Sequence, residues 1–339
     1  MMSTVQYVKR MGIVAIAAMA ISLGATRVLG DDHQLRAEAK GLFGVIEKAR
    51  GELLETPEVV LGRALFWDER ISADGKTSCA SCHRVEDYGA DRRVVSRRAT
   101  GKMTSRNSQT VFNATRQPTL RWTGNRKSGA EQAERSLTGS MGLASRDAAV
   151  QLLKSLKYEA SFRKAYPSEE EPVSTANYGR AIEAYEDTLT TPAAFDGFLA
   201  GDDEALSARQ KAGLATFIQS GCADCHAGAL CGGNSMEKFG VEKEYWIATG
   251  SNKVDLGRFD DTQEEADKHV FRVPMLRNIA KTGPYFHDGS VAQLAEAVQV
   301  MADVQLGDRL SEDDAADIVE FLRSLTGDVP ENFRPVGGS

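Results

Sequence analysis

Two short runs carry the most reactive side chains in the chain. Cys79-Ala80-Ser81-Cys82-His83 and Cys222-Ala223-Asp224-Cys225-His226 both read Cys-x-x-Cys-His. Two thiols at this spacing add across the two vinyl groups of a haem. The histidine that follows presents its imidazole to the iron. A pair of redox-active Cys-x-x-Cys sites is the rival reading. It leaves unexplained why a histidine follows both pairs in a chain with only five histidines. The sequence therefore predicts two covalently bound c-type haems. Cys79, Cys82 and His83 would hold haem 1, and Cys222, Cys225 and His226 would hold haem 2. The fifth cysteine, Cys231, is expected to be a small buried hydrophobe.

A six-coordinate haem takes its other ligand from a separate element. At haem 2 the candidate is Met301, on the helix before the terminal one, with Met275 and Met236 as competitors. A His/Met pair raises the potential and fills the iron, which suits electron transfer. The twenty residues after His83 hold many arginines and no histidine. Met103 and Tyr88 are that loop's alternative ligands for haem 1. Arg92, Arg93, Arg97, Arg98, Arg106 and Lys102 make a basic patch there. By default it is a solvated loop; otherwise it pairs haem propionates or an acidic partner.

These groups need scaffolding. The 339 residues suffice for about two domains. With 42% hydrophobic and 26% charged residues the composition is globular, and a net charge of −7 argues against nucleic acid as a partner. Lys9 and Arg10 precede an apolar run, Met11 to Ala25, then Val28-Leu29-Gly30. That predicts a signal peptide over 1–30, cleaved after Gly30, and export to the periplasm without stable membrane insertion. An uncleaved anchor is the alternative, although the run is shorter than the ~20 residues a span needs.

Thr56-Pro57 starts a helix toward the first motif, and Ser145 caps another. A third runs from Ala176 to Leu189. Phe195 to Leu206, with two glycines and four acids, reads as a linker. Ser207 to Gln210 and Ser290 to Gln293 read as capping boxes, each opening a helix. Gly221 stops the helix before the second motif, Ser311 opens the last helix and Gly327 closes it. The fold class is mainly α: two cytochrome c-like domains, 31–194 and 195–339, each with one haem.

The run FRVPMLRNIAKTGPYFHDG (271–289) and the following SVAQLAEAVQVMADVQLG resemble the bacterial di-haem cytochrome c peroxidases and their MauG-like relatives. So do LGRALFWDERIS before the first motif and DLGRFDDT after the second. The resemblance extends from about Pro57 to Gly327. It implies a periplasmic enzyme in which haem 1 handles hydrogen peroxide. Haem 2 would take electrons from a small cytochrome c or a cupredoxin, with Met301 as its second ligand. It also implies that Trp122 stands between the haems and that His287 lies near haem 2. A calcium ion would sit at the domain interface, at positions matching Asn107, Thr282 and Pro284. Family members are often dimers, so a homodimer is an expectation of the resemblance alone. Structural readings stand beside these: Trp122 as core, Asn107 as a cap or turn, His287 as a satisfied hydrogen bond.

The match fails at two places. Relatives keep a distal histidine after the first motif, and an ungapped count puts Ala99 there. They also keep a glutamate in a Glu-Met-Gly segment, where this chain has Ser140 before Met141-Gly142. No carboxylate occurs from Arg135 to Arg146. Losing the histidine leaves haem 1 open, as in MauG-like proteins. Losing a general acid/base weakens turnover, since such a group contributes about 10²–10⁴-fold. Gln132 falls near another polar family position, and Glu131 and Glu134 are candidate substitutes for the acid. Three functions therefore compete: a peroxidase, a MauG-like oxidase of a protein or small molecule, and a non-enzymatic electron carrier or redox sensor.

Overall fold

The computed structural model describes residues 32–335, so the expected signal peptide lies outside them. The chain is mainly helical, as its pattern predicts. The helices are α1 (Asp32–Leu42), α2 (Pro57–Trp67), α3 (Gly129–Thr138), α4 (Arg146–Ser155), α5 (Glu159–Ala165), α6 (Thr175–Glu186), α7 (Ala194–Ala200), α8 (Ala208–Gln219), α9 (Cys222–Cys225), α10 (Tyr245–Ala248), α11 (Phe259–Thr262), α12 (Leu294–Met301) and α13 (Glu312–Ser324). Two three-residue strands, β1 (Met236–Lys238) and β2 (Val270–Arg272), pair antiparallel with Met236 opposite Arg272. Among the described residues no helix is long and apolar enough to cross a membrane.

The helix before each haem motif crosses a later helix at a glycine. On α2, a Cβ at Gly62 would lie 1.8 Å from the Ala181 carbonyl oxygen of α6. On α8, a Cβ at Gly213 would lie 1.8 Å from the Asp317 carbonyl oxygen of α13. Only a residue without a side chain permits so close a backbone approach. Around the first crossing, Leu65 and Phe66 pack with Ile182, Tyr185 and Leu137, and Cys79 lies against them. Around the second, Leu214 and Phe217 pack with Ile318, Phe321 and Leu322, and Cys222 lies against them.

The two ends of the described segment pack across these cores. Leu35 and Ala39 of α1, with Phe43, join the second core. Phe333, near the other end, is 1% exposed and sits in the first core against Phe66, Trp67 and Phe112.

The segment expected as a linker holds α7. Phe195, Phe198 and Leu199 form an i, i+3, i+4 stripe that is buried in the second core. The acids there misled the reading, because Asp196 is not solvated: it pairs with buried Arg277 at 2.7 Å and accepts from the Ile46 N–H.

Ser145, Ser207 and Ser311 cap their helices as expected, accepting from the backbone N–H of Ala148, Gln210 and Asp314. Four boundaries differ. Thr56 donates its hydroxyl to the Leu53 carbonyl instead of capping α2. Ser174 caps α6, which ends at Glu186 rather than Leu189. Ser290 to Gln293 is no capping box, because Tyr285 donates to the Val291 carbonyl at 2.7 Å and holds that stretch extended. The final helix stops at Ser324, and the Gly327 N–H goes to Asn278 Oδ1.

Candidate functional site

The first motif forms a tight 3-10 turn, Cys79–Ser81, locked by reciprocal bonds between Ser78 and Ser81. His83 follows, with its Nδ1 2.9 Å from the Gly89 carbonyl. That carbonyl orients the ring and leaves Nε2 for a metal. Burial lowers the His83 pKa. Neutral imidazole is the ligating form. Burial, reinforced by Glu186, pushes the Cys79 thiol up to about 12. Glu186 is itself pushed up to about 8, by burial first and then by Asp187 and Glu183. Sequence reading passed over Glu186; a carboxylate closing the helix that packs on the motif helix was its only signal.

The second motif is the single turn α9, entered through Gly221 at φ +83°. His226 Nδ1 lies 3.2 Å from the Cys231 carbonyl, and burial brings its pKa down to about 4. Cys231 is buried, as expected. A cavity of about 230 Å³ opens here, walled by Cys222, Cys225, His226, Val298, Met301 and Leu322. Close-packed interiors rarely leave a void larger than a water molecule.

Three methionines competed for this site. Met301 ends α12, at the start of a π-helical turn, Ala302–Leu306, and lines the cavity. Met275 lines it too. It follows Pro274, whose carbonyl reaches the His226 ring, so it stands on the histidine's own side and packs on Ile46 and Leu230. Met236 lies in β1 next to Gly124, away from the cavity wall. Of the three, Met301 alone lines the cavity from a separate helix, α12.

The same wall carries groups that call for an anion. Arg272 is 1% exposed, and its partners are three neutral oxygens: Gln117 Oε1, Gln109 Oε1 and the Arg121 carbonyl. Burial pulls its pKa down to about 10. A buried cation without a counter-ion costs several kcal/mol. His287 is 2% exposed, and its Nε2 has no hydrogen-bond partner; the nearest carboxylate oxygen, on Asp255, is 3.8 Å away. It is not the satisfied histidine that a structural role would require. Haem carboxylates are the anions such a wall would accept, so the residues fit the group.

Residues 107–110 join the first motif to the wall of the second motif's cavity. Asn107 donates its N–H to the His287 carbonyl at 2.7 Å, and its own carbonyl accepts from Trp122 Nε1 at 2.9 Å. Ser108 Oγ donates to the Cys82 carbonyl. The Trp122 ring meets His287 edge-on at 6.3 Å and lines the second cavity. Asn107, Thr282 and Pro284 share that wall. Among the described residues, no three His, Cys, Asp or Glu side chains are grouped to hold a metal ion. Amide and carbonyl oxygens are what these three positions offer, a set that suits calcium.

The other candidates for haem 1 are placed differently from those expectations. Met103 closes a small hairpin opposite Arg97 and is 53% exposed, so it faces solvent rather than the motif. Tyr88 adjoins Gly89, which holds His83 Nδ1, and is therefore on the proximal side. Glu131 accepts from the Lys127 N–H ahead of α3 and pairs with Arg135. Glu134 accepts from Thr175 and pairs with Arg146. Neither acid is left to serve the haem. Gln132 lies between them, half-buried on α3. Arg106 leaves the basic patch to join the two halves, pairing with Asp255 and Asp260 at 2.7 and 2.9 Å.

Comparison with known proteins agrees with this architecture. Residues 56–204 match the family of di-haem cytochrome c peroxidases. The chain is 42% identical to a cytochrome c551 peroxidase of Pseudomonas aeruginosa over 315 residues, 91% of each chain. A cytochrome c551 peroxidase of Nitrosomonas europaea is 38% identical over 81% of this chain and 82% of its own. A methylamine utilization protein MauG of Methylophilus methylotrophus is 29% identical over 81% of this chain and 84% of its own. Among solved structures, a MauG-like protein associated with microbial copper homeostasis matches with a TM-score of 0.72 and 26% identity, over 85% of this chain and 96% of that one.

Proposed function

Because this chain belongs to the di-haem cytochrome c peroxidase family, a family of oxidoreductases, we propose that it is a periplasmic enzyme that reduces hydrogen peroxide at the His83 haem with electrons taken in at the His226/Met301 haem. The observation that carries this reading is the shared wall. Residues 107–110 touch the first motif through Ser108 and line the cavity of the second, and Trp122 hangs from that segment beside it. The haems, when bound, supply the one-electron and O–O chemistry.

The chain's own residues do the rest. His83 and His226 stay neutral through burial and are aimed by carbonyls at Nδ1. Met301 would serve haem 2 as its second ligand and so keep substrate off that iron. Arg272 and His287 would hold haem carboxylates. Asn107, Thr282 and Pro284 offer oxygens to a calcium ion at the junction. The donor class is a small cytochrome c or a cupredoxin, and the assembly is a homodimer.

Ala99 and Ser140, which leave no histidine or carboxylate at the two departures from the family pattern, favour a second reading: a MauG-like oxidase of a protein or small molecule. The electron-carrier reading is weakened by Met103, which faces solvent. Mixing the haem-loaded protein with peroxide and reduced cytochrome c separates the three. Rapid turnover supports the peroxidase. A long-lived oxidised form without turnover supports the oxidase. Low-spin haem 1 in both oxidation states, with no peroxide reaction, rejects both enzymes.

A further inference from the structure

Residues 92–130 carry ten lysines and arginines and no carboxylate, in a chain whose net charge is −7. Arg106 is used inside the fold, against Asp255 and Asp260. The densest part, from Arg92 to Met103, leads into and around a hairpin, and there the cations stay free. Arg92, Arg93, Arg97 and Lys102 are exposed. Arg92 comes no nearer than 3.9 Å to Asp87. Among the described residues, Arg93, Arg97, Arg98 and Lys102 make no ion pair. Val94 and Met103, 54% and 53% exposed, are apolar side chains set among these cations. Methionine and arginine are both enriched where proteins meet.

A solvated loop has no need of a fixed backbone, yet this one is pinned along its length. Arg97 bridges Met103, Thr104 donates its N–H to the Ser96 carbonyl, and Ser96 donates its own to Thr104 Oγ1. The Ala99 N–H reaches the Ser140 carbonyl, and the Arg93 carbonyl accepts from Asn107 Nδ2 at 2.7 Å. Next to Asn107, Ser108 donates to the Cys82 carbonyl, which ties the hairpin to the first haem motif. A surface fixed in advance loses little entropy when a partner settles on it.

We propose that the segment from Arg92 to Met103 is a docking surface for an acidic protein, which it holds beside haem 1. The site is separate from donor entry at haem 2, and it rests on the di-haem reading only for the group that lies beside it. Clustered cations draw in a carboxylate-rich surface and set the rate of encounter. Val94 and Met103 then give the complex its apolar contact. An anionic membrane fits less well. Binding there calls for an amphipathic helix with a broad apolar face, and this segment offers two apolar side chains and no helix.

The double variant Arg97→Glu/Lys102→Glu reverses two exposed cations of the hairpin. Arg163→Glu/Lys164→Glu makes the same change in net charge on α5, where both side chains are also exposed. The experiment uses the full chain carrying its haems, and the probe is a strongly acidic cupredoxin. Surface plasmon resonance follows association at low and at moderate salt. The wild type should bind, and its association rate should fall as salt rises, because screening acts within about 10 Å at 0.1 M. The hairpin variant should associate about tenfold more slowly, and the α5 variant should match the wild type. Equal losses in the two variants, or no loss in either, would overturn the proposal, as would a wild type that ignores the probe. Three rival uses of the cations are read from the same proteins, and each overturns it too. Anionic phospholipid vesicles held by the hairpin in place of the acidic protein would make it a membrane contact. A wild-type dimer that the hairpin variant splits into monomers would assign the surface to a second copy of this chain. An altered haem-1 spectrum in the hairpin variant would give the cations to haem carboxylates. Should the double reversal fail to fold, Lys102→Gln must still slow association, or the proposal falls. A count below two haems per chain rejects the di-haem reading, while binding decides the docking surface separately.

Discussion

Ala99 donates its backbone N–H to the Ser140 carbonyl at 2.9 Å. These two positions are where an ungapped comparison expects a gating histidine and a catalytic glutamate. The fold brings them together, so both departures fall in one small region. Here Ala99→His should supply a sixth ligand and convert ferric haem 1 from high to low spin, read by electron paramagnetic resonance. Ser140→Glu should raise peroxide turnover, up to the roughly 10²–10⁴-fold that a positioned acid/base contributes. Unchanged turnover in well-folded Ser140→Glu protein would place the family's acid elsewhere.

Met301 and Met103 make opposite predictions. Met301→Ala should abolish the His/Met signature of haem 2 and lower its potential, because a thioether ligand stabilises ferrous iron. Met103→Ala should leave both haem spectra as they are, since this side chain faces solvent. Visible and near-infrared absorption of the two variants checks both.

Asp196 and Arg277 form a buried pair that joins α7 to the loop after β2. Replacing Asp196 with Ala leaves the guanidinium uncompensated and should cost about 3–5 kcal/mol. Denaturant titration measures it. A loss under about 1 kcal/mol would mean that water or another acid takes over the cation.

Gly62 and Gly213 should be equally intolerant of a methyl group. A Cβ at either position meets a backbone carbonyl, which cannot rotate away as a side chain could. Overpacking of this kind costs about 1–3 kcal/mol, and a backbone obstacle places it at the upper end. Gly62→Ala should loosen the haem-1 core and Gly213→Ala the haem-2 core. Hydrogen exchange resolved along the chain distinguishes them.

Glu186 gives a pH prediction. Its carboxyl titrates at about 8 in the folded chain, against an ordinary value of 4.5. Between those values the unfolded chain has lost a proton that the folded chain keeps. Stability contributed at this site therefore falls as pH rises from about 4.5 to about 8. Glu186→Gln should flatten that fall and make the variant relatively more stable near pH 8. Parallel unfolding curves across pH 5–8 test it; a wild-type and a variant that respond identically would mean Glu186 is ionised in the fold.

Much of the site was legible because it is local. Haem attachment needs two thiols and an imidazole at fixed spacing, and that is covalent chemistry written within five residues. Serine caps at 145, 207 and 311 act on N–H groups three residues away, so they too could be read directly. Other features depend on residues that meet only after folding. Met275 and Met301 are equivalent in type, and the Pro274 carbonyl against His226 separates them. Asp196 looked like one acid of a solvated linker until Arg277 buried it. Arg272 and Gln109 lie 163 positions apart, and no local pattern links them. By itself the sequence determined the haem-attachment motifs, most of the helices and the family. The tertiary structure decided which candidate residues line the cavity and which buried charges lack an opposite charge, because both depend on long-range packing.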